Sequence, residues 1–273
     1  MTTPSRWKTL LAAIEAARTP AGRNRLQAFS LEGTRLVERA LRQGIGLHGM
    51  LVRPGWVQAG GERAAALEAE LERAGVERVE LPVEEFDRAT GGRDLGGLLA
   101  LAPLPAPADL ADLVATDPRA LVLVCAGVED PGNVGALVRT AHASGARAVV
   151  FVQGSDPLHP RAVRTSMGSL FALPVAGFPD FESALAELRS HGFETLGSVC
   201  RGGTPLDGLS PAAGPRALFL GSEAFGLGDA ELRRLDRAVH IPMPAGVDSF
   251  SVNAAAAVLL YGLGRASGPG PDR

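Results

Sequence analysis

The chain has 273 residues, of which 46% are hydrophobic and 21% are charged, and its formal net charge at pH 7 is −3. The length favours two domains, the composition is typical of a globular protein with a substantial core, and the slight negative charge excludes a polycationic protein. The two cysteines, Cys125 and Cys200, are too few for a disulfide framework and lack metal-site spacing. We interpret both as small buried residues in a reducing compartment.

The N-terminal segment, residues 1–20, has an apolar patch that Glu15 interrupts and no cleavage-type site, which predicts a helix rather than a signal peptide. No apolar run is long enough to span a bilayer, so we expect a cytoplasmic protein with no membrane partner. Residues 1–42 hold eight basic and three acidic residues, a formal charge of +5. This charge is compatible with binding to a phosphate backbone, although a solvated helical face explains it at least as well.

The first hundred residues have the pattern of a small α/β layer domain, in which helices alternate with strands. The predicted helices cover 31–43 and 62–74, and the predicted strands cover 47–53, 76–81 and 98–102. The run APLPAPAD at 102–109 then places three prolines among small residues, which favours an extended spacer. We therefore predict a first domain over 1–102 and a proline-rich linker over 103–116.

Residues 117–266 alternate more regularly and predict a second α/β domain, followed by a disordered tail at 267–273. The predicted strands cover 121–126, 148–152, 195–199, 217–220 and 238–241. The predicted helices cover 134–144, 181–190, 229–235 and 253–263. Short apolar strands separated by helices indicate a parallel sheet that is covered on both faces.

Several common enzyme signatures are missing from this α/β pattern. No strand is followed by G-x-G-x-x-G, and neither a G-x-x-x-x-G-K-[ST] loop nor a G-x-S-x-G turn occurs. The five histidines do not pair with Cys, Asp or Glu at metal-ligand spacing, so we predict no metal site.

Polar side chains instead collect where three predicted strands end. In GVEDPGNVGALVR (127–139), Asn133 is placed to cap a helix, and Arg139 lies outside the buried stripe of that helix. In LFLGSEAFGLG (218–228), a glycine-rich loop contains one carboxylate, Glu223. In IPMPAGVDSFSVN (241–253), two prolines and a glycine precede hydroxyl and amide side chains at the start of a helix. Taken alone, each segment is explained as well by capping, solvation or an ordinary loop.

Together, the three segments resemble the motifs of the SpoU (TrmH-like) RNA methyltransferases of the SPOUT superfamily. The first motif is matched by Asn133, Gly135 and Arg139; the second by Leu220, Gly221, Ser222, Glu223, Gly226 and Leu227; the third by Ile241, Pro242, Met243, Ser249, Phe250, Ser251, Val252 and Asn253. Residues 156–175 also resemble the family's segment between the first two motifs, and residues 29–41 resemble the start of the ribosomal-L30e-like domain that many members have.

The resemblance implies an α/β protein whose C-terminal SPOUT parallel-sheet domain contains a deep trefoil knot and follows a small L30e-like, RNA-binding α/β domain. It also implies S-adenosylmethionine as the cofactor and a homodimer formed through the knotted domain, with both subunits contributing to each active site. Carried over to this chain, the residues that hold the cofactor or line its pocket are Leu220, Gly221, Ile241, Phe250 and Ser251.

The residues implied in catalysis are Arg139, Asn133, Glu223, Ser249 and Ser251. Because a guanidinium stays protonated and is a poor base, we expect Arg139 to bind the adjacent RNA phosphate and to stabilise the forming alkoxide. Glu223 would hold Arg139 or the end of its helix, and Asn133 would cap that helix and shape the pocket. We expect RNA to bind arginines outside the catalytic motifs, namely Arg6, Arg18, Arg23, Arg25, Arg161 and Arg164.

Two positions depart from the family pattern. The asparagine usual in the third motif is Ser251 here, and an asparagine stands two residues later at Asn253; Ser222 replaces the usual asparagine of the second motif. Side chains two residues apart at a helix start do not share a direction, so Asn253 is not an automatic substitute for Ser251. This departure affects the expected proton-handling network more than the cofactor site, which relies largely on backbone.

The resemblance therefore predicts transfer of a methyl group to a ribose 2′-hydroxyl of RNA, with ribosomal (23S) RNA as the favoured substrate. Modification of tRNA remains open, as does an antibiotic-resistance role on 23S RNA. A different class of function, a non-catalytic RNA-binding protein that retained the fold, draws its support only from the altered third motif. A third alternative, a generic nucleotide-binding α/β enzyme, is disfavoured because the chain lacks every phosphate-loop signature.

Overall fold

The structure is a computed structural model that describes residues 6–93 and 95–266. The chain forms two compact units. The first unit contains the residues up to Pro105 together with Leu158–Phe171, and the second contains Ala106–Pro157 together with the residues from Ala172 onward.

The described helices are α1 (Arg6–Ala16), α2 (Pro20–Leu26), α3 (Thr34–Arg42), α4 (Trp56–Arg73), α5 (Val83–Thr90), α6 (Leu110–Thr116), α7 (Pro131–Ala143), α8 (Pro160–Thr165), α9 (Phe181–Ser190), α10 (Asp229–Leu232) and α11 (Val252–Ala266). The described strands are β1 (Ala28–Glu32), β2 (Gly49–Val52), β3 (Arg78–Glu80), β4 (Leu98–Pro103), β5 (Leu121–Ala126), β6 (Ala148–Val152), β7 (Val175–Phe178), β8 (Glu194–Ser198), β9 (Thr204–Pro205), β10 (Arg216–Leu220) and β11 (Arg237–His240). Short 3-10 turns lie at Ser169–Phe171 and Leu206–Gly208.

The first unit is built on a four-stranded sheet in the order β1-β4-β2-β3. Strand β4 runs antiparallel to both of its neighbours, and β3 runs parallel to β2. Leu11 and Ile14 of α1 pack in one core cluster with Leu51 and Leu99 of the sheet. The alternation predicted for this region is therefore present, with the addition of β1, whose five residues are all buried.

The segment Leu158–Phe171 belongs to the first unit although it lies between strands β6 and β7 of the second. Its helix α8 packs against β1, and Arg164 on α8 forms an ion pair with the buried carboxylate of Glu32. The predicted second domain, 117–266 without interruption, differs from this arrangement. The predicted linker differs as well, because Leu110–Thr116 is helical and Pro107 forms a β-bridge with Val175.

The second unit is built on a seven-stranded sheet in the order β7-β6-β5-β10-β8-β11-β9. Every strand pair in this sheet is parallel. All six residues of β5 and all five of β6 and β10 are buried, as expected when helices cover both faces. The parallel α/β architecture predicted for this region is confirmed.

Three strands were not predicted, for physical reasons. Residues of β1 were assigned to the helix that follows, because Leu31 continues the apolar spacing of α3. Strands β7 and β9 are short and incompletely buried, so they lack a strong apolar run. The predicted tail at 267–273 lies outside the described residues. Within the described part of the chain, no helix has the length and hydrophobicity needed to cross a membrane.

Candidate active site

The three motif segments start at the carboxyl ends of β5, β10 and β11, which lie at one edge of the parallel sheet. Strands β5 and β10 are neighbours, with Cys125 paired with Leu220. The loops after these two strands therefore begin side by side. A β-carbon built on Gly127 would lie 3.8 Å from the Cβ of Ser222.

Helix α7 is capped by Asp130 and not by Asn133. The Asp130 carboxylate accepts a hydrogen bond of 2.9 Å from the backbone N–H of Asn133, and Pro131 occupies the first turn, where its missing N–H has no cost. The expectation that Asn133 caps this helix is therefore wrong. Its side-chain amide is left available to the site.

Asn133 and Glu223 form a hydrogen-bonded pair that joins the first two motifs. Asn133 Nδ2 donates to Glu223 Oε1 at 2.8 Å, and the backbone N–H of Glu129 approaches Glu223 Oε2 at 3.4 Å. Burial raises the pKa of the Glu223 carboxyl, but hydrogen bonds from Asn133 and from nearby backbone N–H groups outweigh that effect, and the pKa lies below its ordinary value. Glu223 is thus an oriented carboxylate near neutral pH.

Asn253 completes this cluster from the first turn of α11. Its Nδ2 donates to Asn133 Oδ1 at 2.9 Å, while its own Oδ1 is buried and has no hydrogen-bond partner among the described residues. Sequence reasoning left Asn253 without a role. The signal available in the sequence was an asparagine two residues after position 251, where the family motif usually has asparagine. We call Asn133, Glu223 and Asn253 the amide–carboxylate cluster.

Ser251, the residue at the family's usual asparagine position, lies outside the amide–carboxylate cluster. Its Oγ accepts a hydrogen bond of 3.4 Å from the backbone N–H of Ala254, so it caps α11. Ser249 is exposed. Within this chain, the two serines assigned to catalysis are therefore not brought to Asn133 and Glu223.

The loop after β10 folds back tightly on Gly221. The N–H of Gly226 donates to the carbonyl of Ser222 at 2.9 Å, and a β-carbon on Gly221 would lie only 2.0 Å from the carbonyl carbon of Gly226. Only glycine fits here. Leu220 is 2% exposed, so it supports the loop from the core and offers a ligand little side-chain surface.

The loop after β11 is extended and accessible. Among the described hydrogen bonds, its backbone over 241–250 donates one to the main chain, from Val247 to Pro244 at 3.4 Å. Arg201 Nη2 donates to the carbonyl of Val247 at 2.8 Å and tethers the loop. Ile241 is half-buried, whereas the ring of Phe250 is 43% exposed.

Arg139 is exposed on α7, and no hydrogen bond or ion pair between described residues joins it to the amide–carboxylate cluster. Among the described residues, none forms an ion pair with it. Glu223 therefore holds the start of the Arg139 helix, through Asn133, and not the guanidinium itself.

The six arginines expected to bind RNA have different environments in the first unit. Arg23 is 4% exposed, and its Nη1 donates to the carbonyls of Ala17, Arg18 and Leu158, so it is a structural residue and unavailable to a phosphate. Arg18 and Arg164 form ion pairs with Glu32. Arg6 pairs with Glu77, whereas Arg25 and Arg161 are exposed.

In the described part of the chain, no three His, Cys, Asp or Glu side chains are grouped so that they could hold a metal ion.

Comparison with known proteins identifies the family. The model of the SpoU rRNA Methylase family matches residues 120–261. The chain is 29% identical to the 23S rRNA (guanosine(2553)-2'-O)-methyltransferase RlmP of Bacillus subtilis, over 94% of each chain. It is 34% identical to the 23S rRNA (guanosine-2'-O-)-methyltransferase RlmB of Xylella fastidiosa, over 75% of this chain and 85% of that protein.

Among solved structures, the AdoMet-bound rRNA methyltransferase of Sinorhizobium meliloti has the same fold, with a TM-score of 0.77, 23% identity and 97% of each chain covered. The family match spans the second unit's sheet and all three motif segments. The chain belongs to the SpoU rRNA Methylase family.

Proposed function

We propose that this protein transfers a methyl group from S-adenosylmethionine to a ribose 2′-hydroxyl of ribosomal RNA, with 23S rRNA as the substrate. The observation that carries the proposal is the amide–carboxylate cluster, which joins the first, second and third motifs of the family through two hydrogen bonds of 2.8 and 2.9 Å. Relatives similar over most of the chain are named as 23S rRNA 2'-O-methyltransferases, which supports this substrate over tRNA.

The loops after β10 and β11 fit an adenosyl cofactor. The backbone of residues 241–250 has polar groups without main-chain partners among the described hydrogen bonds, and Phe250 offers an exposed aromatic ring for stacking. Gly221 lets the backbone approach closely in the neighbouring loop. Leu220, Gly221, Ile241, Phe250 and Ser251 would hold the cofactor, which supplies an activated methyl group when bound.

The protein's part in the reaction is to position the ribose hydroxyl and stabilise the charge that develops on its oxygen. A guanidinium binds phosphate in a bidentate manner, so Arg139 would hold the RNA phosphate beside the target ribose. The hydrogen bond between Asn133 and Glu223 fixes the first turn of α7. Arg139 lies on the same helix, six residues after Asn133, so this bond helps to position it.

Because no described hydrogen bond or ion pair links the exposed Arg139 to the amide–carboxylate cluster, we infer an active site that a second copy of the chain completes. Val258 and Tyr261, one turn apart on α11, are 40% and 60% exposed and suit a homodimer contact. We include in this proposal the deep trefoil knot of the second unit, an L30e-like, RNA-binding first unit and a cytoplasmic location.

The alternative of a non-catalytic RNA-binding protein is disfavoured by the intact amide–carboxylate cluster, which a pure binding role would not require. The decisive experiment is mass-spectrometric mapping of ribose methylation in ribosomal RNA from cells with and without the gene. We expect one 2′-O-methyl group to disappear on deletion and to return when purified protein and S-adenosylmethionine are added to the unmodified RNA. An unchanged set of ribose methyl groups would overturn the proposal.

A further inference from the structure

A cavity of about 720 Å³ lies within the first unit, and none of its lining residues is among those assigned to methyl transfer. Its walls include the starts of α3 and α4, the loop before β4 and two residues of the segment around α8. Cavities that bind small ligands measure ~300–1,000 Å³, so this one has room for a nucleotide.

The cavity is lined by four arginines and one carboxylate, namely Arg35, Arg53, Arg63, Arg164 and Glu32. Three of the arginines form ion pairs: Arg53 with Asp87 at 3.0 Å, Arg63 with Glu38, and Arg164 with Glu32. In the described part of the chain, no carboxylate pairs with the exposed Arg35. The cavity therefore has an uncompensated positive charge at Arg35.

Two helices begin at the cavity without a capping side chain. Gly33 precedes α3 and Gly55 precedes α4, with φ values of 108° and 76°, and neither helix has a side-chain cap at its N-cap. Backbone N–H groups in the first turn of a helix attract anions. The N–H groups of Thr34 and Trp56 already donate to the carbonyls of Leu95 and Arg53, so the helix starts add to the attraction of the arginines through the positive ends of their dipoles.

The same cavity has an apolar wall. Trp56, Leu95 and Met167 contribute to it, beside the arginines. Arginine side chains and apolar side chains in one cavity match the two chemical parts of a nucleotide, its phosphate and its base. Sequence-specific RNA binding commonly uses unstacked bases of single-stranded segments.

We propose that this cavity binds one unstacked nucleotide of the RNA substrate, with the phosphate at Arg35 and the helix starts and the base against Trp56, Leu95 and Met167. This inference rests on the proposed function, since it takes RNA as the substrate. The ligand is a phosphodiester within a strand rather than a free nucleoside triphosphate, because the chain has no phosphate-loop signature.

The test measures binding of a fluorescein-labelled single-stranded oligoribonucleotide to the full chain by anisotropy, over a series of salt concentrations. We expect Arg35→Ala to weaken binding and to lower the slope of log K against log salt by ~0.7, the value for one phosphate of a single strand. The matched control is Arg73→Ala, an exposed arginine at the other end of α4 that does not line the cavity. It should leave the slope unchanged.

A second variant tests whether the RNA enters the cavity, without changing the charge of the cavity. Ala59 is exposed and lines the cavity, so Ala59→Trp fills space without removing a charge. We expect at least tenfold weaker binding of the oligoribonucleotide and an unchanged thermal midpoint. Equal binding by wild type and Ala59→Trp, or equal slopes for Arg35→Ala and Arg73→Ala, would overturn the proposal.

Competition with adenosine monophosphate and with inorganic phosphate distinguishes a phosphate within an RNA strand from the phosphate of a free small molecule. Displacement of the oligoribonucleotide by either small ligand at equal concentration would reassign the cavity to a free metabolite. Methyl transfer to unmodified ribosomal RNA is measured in parallel. Wild-type transfer with an unchanged KM for RNA in Arg35→Ala would refute only the cavity, whereas absence of wild-type transfer would refute the proposed function.

Discussion

Asn253 supplies an amide to the amide–carboxylate cluster, two residues after position 251, where the family's third motif usually has asparagine. Removing its amide leaves Asn133 Oδ1 without its donor and weakens the support for Glu223. An unsatisfied polar group costs ~1–3 kcal/mol, so we expect Asn253→Ala to lower kcat by about tenfold or more, with little effect on binding of S-adenosylmethionine. Asn253→Asp, which cannot donate, should behave similarly.

Steady-state kinetics on unmodified ribosomal RNA measure this effect. The matched control is Asn24→Ala, an exposed asparagine of α2 in the first unit, which should keep the wild-type kcat. A wild-type kcat for Asn253→Ala would show that Asn133 and Glu223 hold their positions without it.

Arg139 should require the geometry of its guanidinium and not only its charge. In Arg139→Lys the positive charge remains but bidentate binding of a phosphate is lost, so we expect kcat to fall by about tenfold to a hundredfold. Titration calorimetry should show unchanged affinity for S-adenosylmethionine. Arg119→Lys, at an exposed arginine of the second unit, serves as the control. Full activity of Arg139→Lys would exclude the bidentate role.

Glu223 should make stability depend on pH in a predictable direction. Its folded-state pKa is lowered, so the stabilisation it provides is present above the unfolded-state pKa of ~4.3 and disappears as the pH falls through the folded-state value. Urea unfolding of wild type and Glu223→Gln should differ at pH 7 and converge in the acid range below pH ~4. A difference that grows as the pH falls would contradict this assignment.

For individual residues, the sequence predicted which side chains belong to the site but not which of them form hydrogen bonds with one another. Asn133 and Glu223 were recognised from their motifs, yet their mutual hydrogen bond depends on two loops that are ninety residues apart. Arg23 was assigned to RNA because a count of charges cannot distinguish a surface arginine from one whose guanidinium is enclosed by carbonyl groups.

The loop after β10 depends on the absence of a side chain at Gly221. In Gly221→Ala the new β-carbon would meet the backbone of Gly226 and Leu227 at 2.0–2.2 Å, so the loop must move. We expect binding of S-adenosylmethionine to weaken by at least tenfold in calorimetry. Gly228→Ala is the matched control, because its β-carbon would meet only Glu231 Oε2, at 3.5 Å, and its φ of −68° suits alanine. Equal affinities in the two variants would contradict the role of Gly221.

Elements with strong apolar runs were predicted well, and elements that depend on their neighbours were not. Strands β5 and β6 and helix α9 have the predicted bounds, because each combines continuous or periodic burial with clear end signals. Strand β7 contains Gly177 and is partly exposed, and its pairing with β6 decides its conformation. A parallel strand that lacks a buried apolar run, as β7 does, leaves little local signal in the sequence.

Within the first unit, the buried carboxylate of Glu32 forms ion pairs with three arginines. Its side chain is 1% exposed and forms ion pairs with Arg18 at 3.0 Å, with Arg93 at 3.3 Å and with Arg164. In Glu32→Gln these arginines lose their carboxylate, and we expect the free energy of unfolding to fall by about 3–5 kcal/mol in urea titrations. The surface pair Glu38–Arg42 is the comparison, and Arg42→Ala should cost under ~1 kcal/mol. Similar losses in both variants would refute a central role for Glu32.

The sequence predicted only part of the division of the chain into two units. Proline-rich residues 102–109 marked the end of the first unit closely, since that unit's N-terminal portion ends at Pro105. The return of Leu158–Phe171 to the same unit was not predicted, because its partners are β1 and Glu32, more than a hundred residues earlier.

Because Leu158–Phe171 belongs to the first unit, the order of synthesis on the ribosome affects when that unit can be completed. When Pro105 leaves the exit tunnel, all four strands of the first sheet have been made, but Arg164 and α8 have not. Translation of the intervening chain takes on the order of several seconds, during which Glu32 has only its N-terminal partners. The first unit therefore reaches its final structure only after β5 and β6 of the second have emerged, and a chain ended at residue 105 would keep this unfinished state.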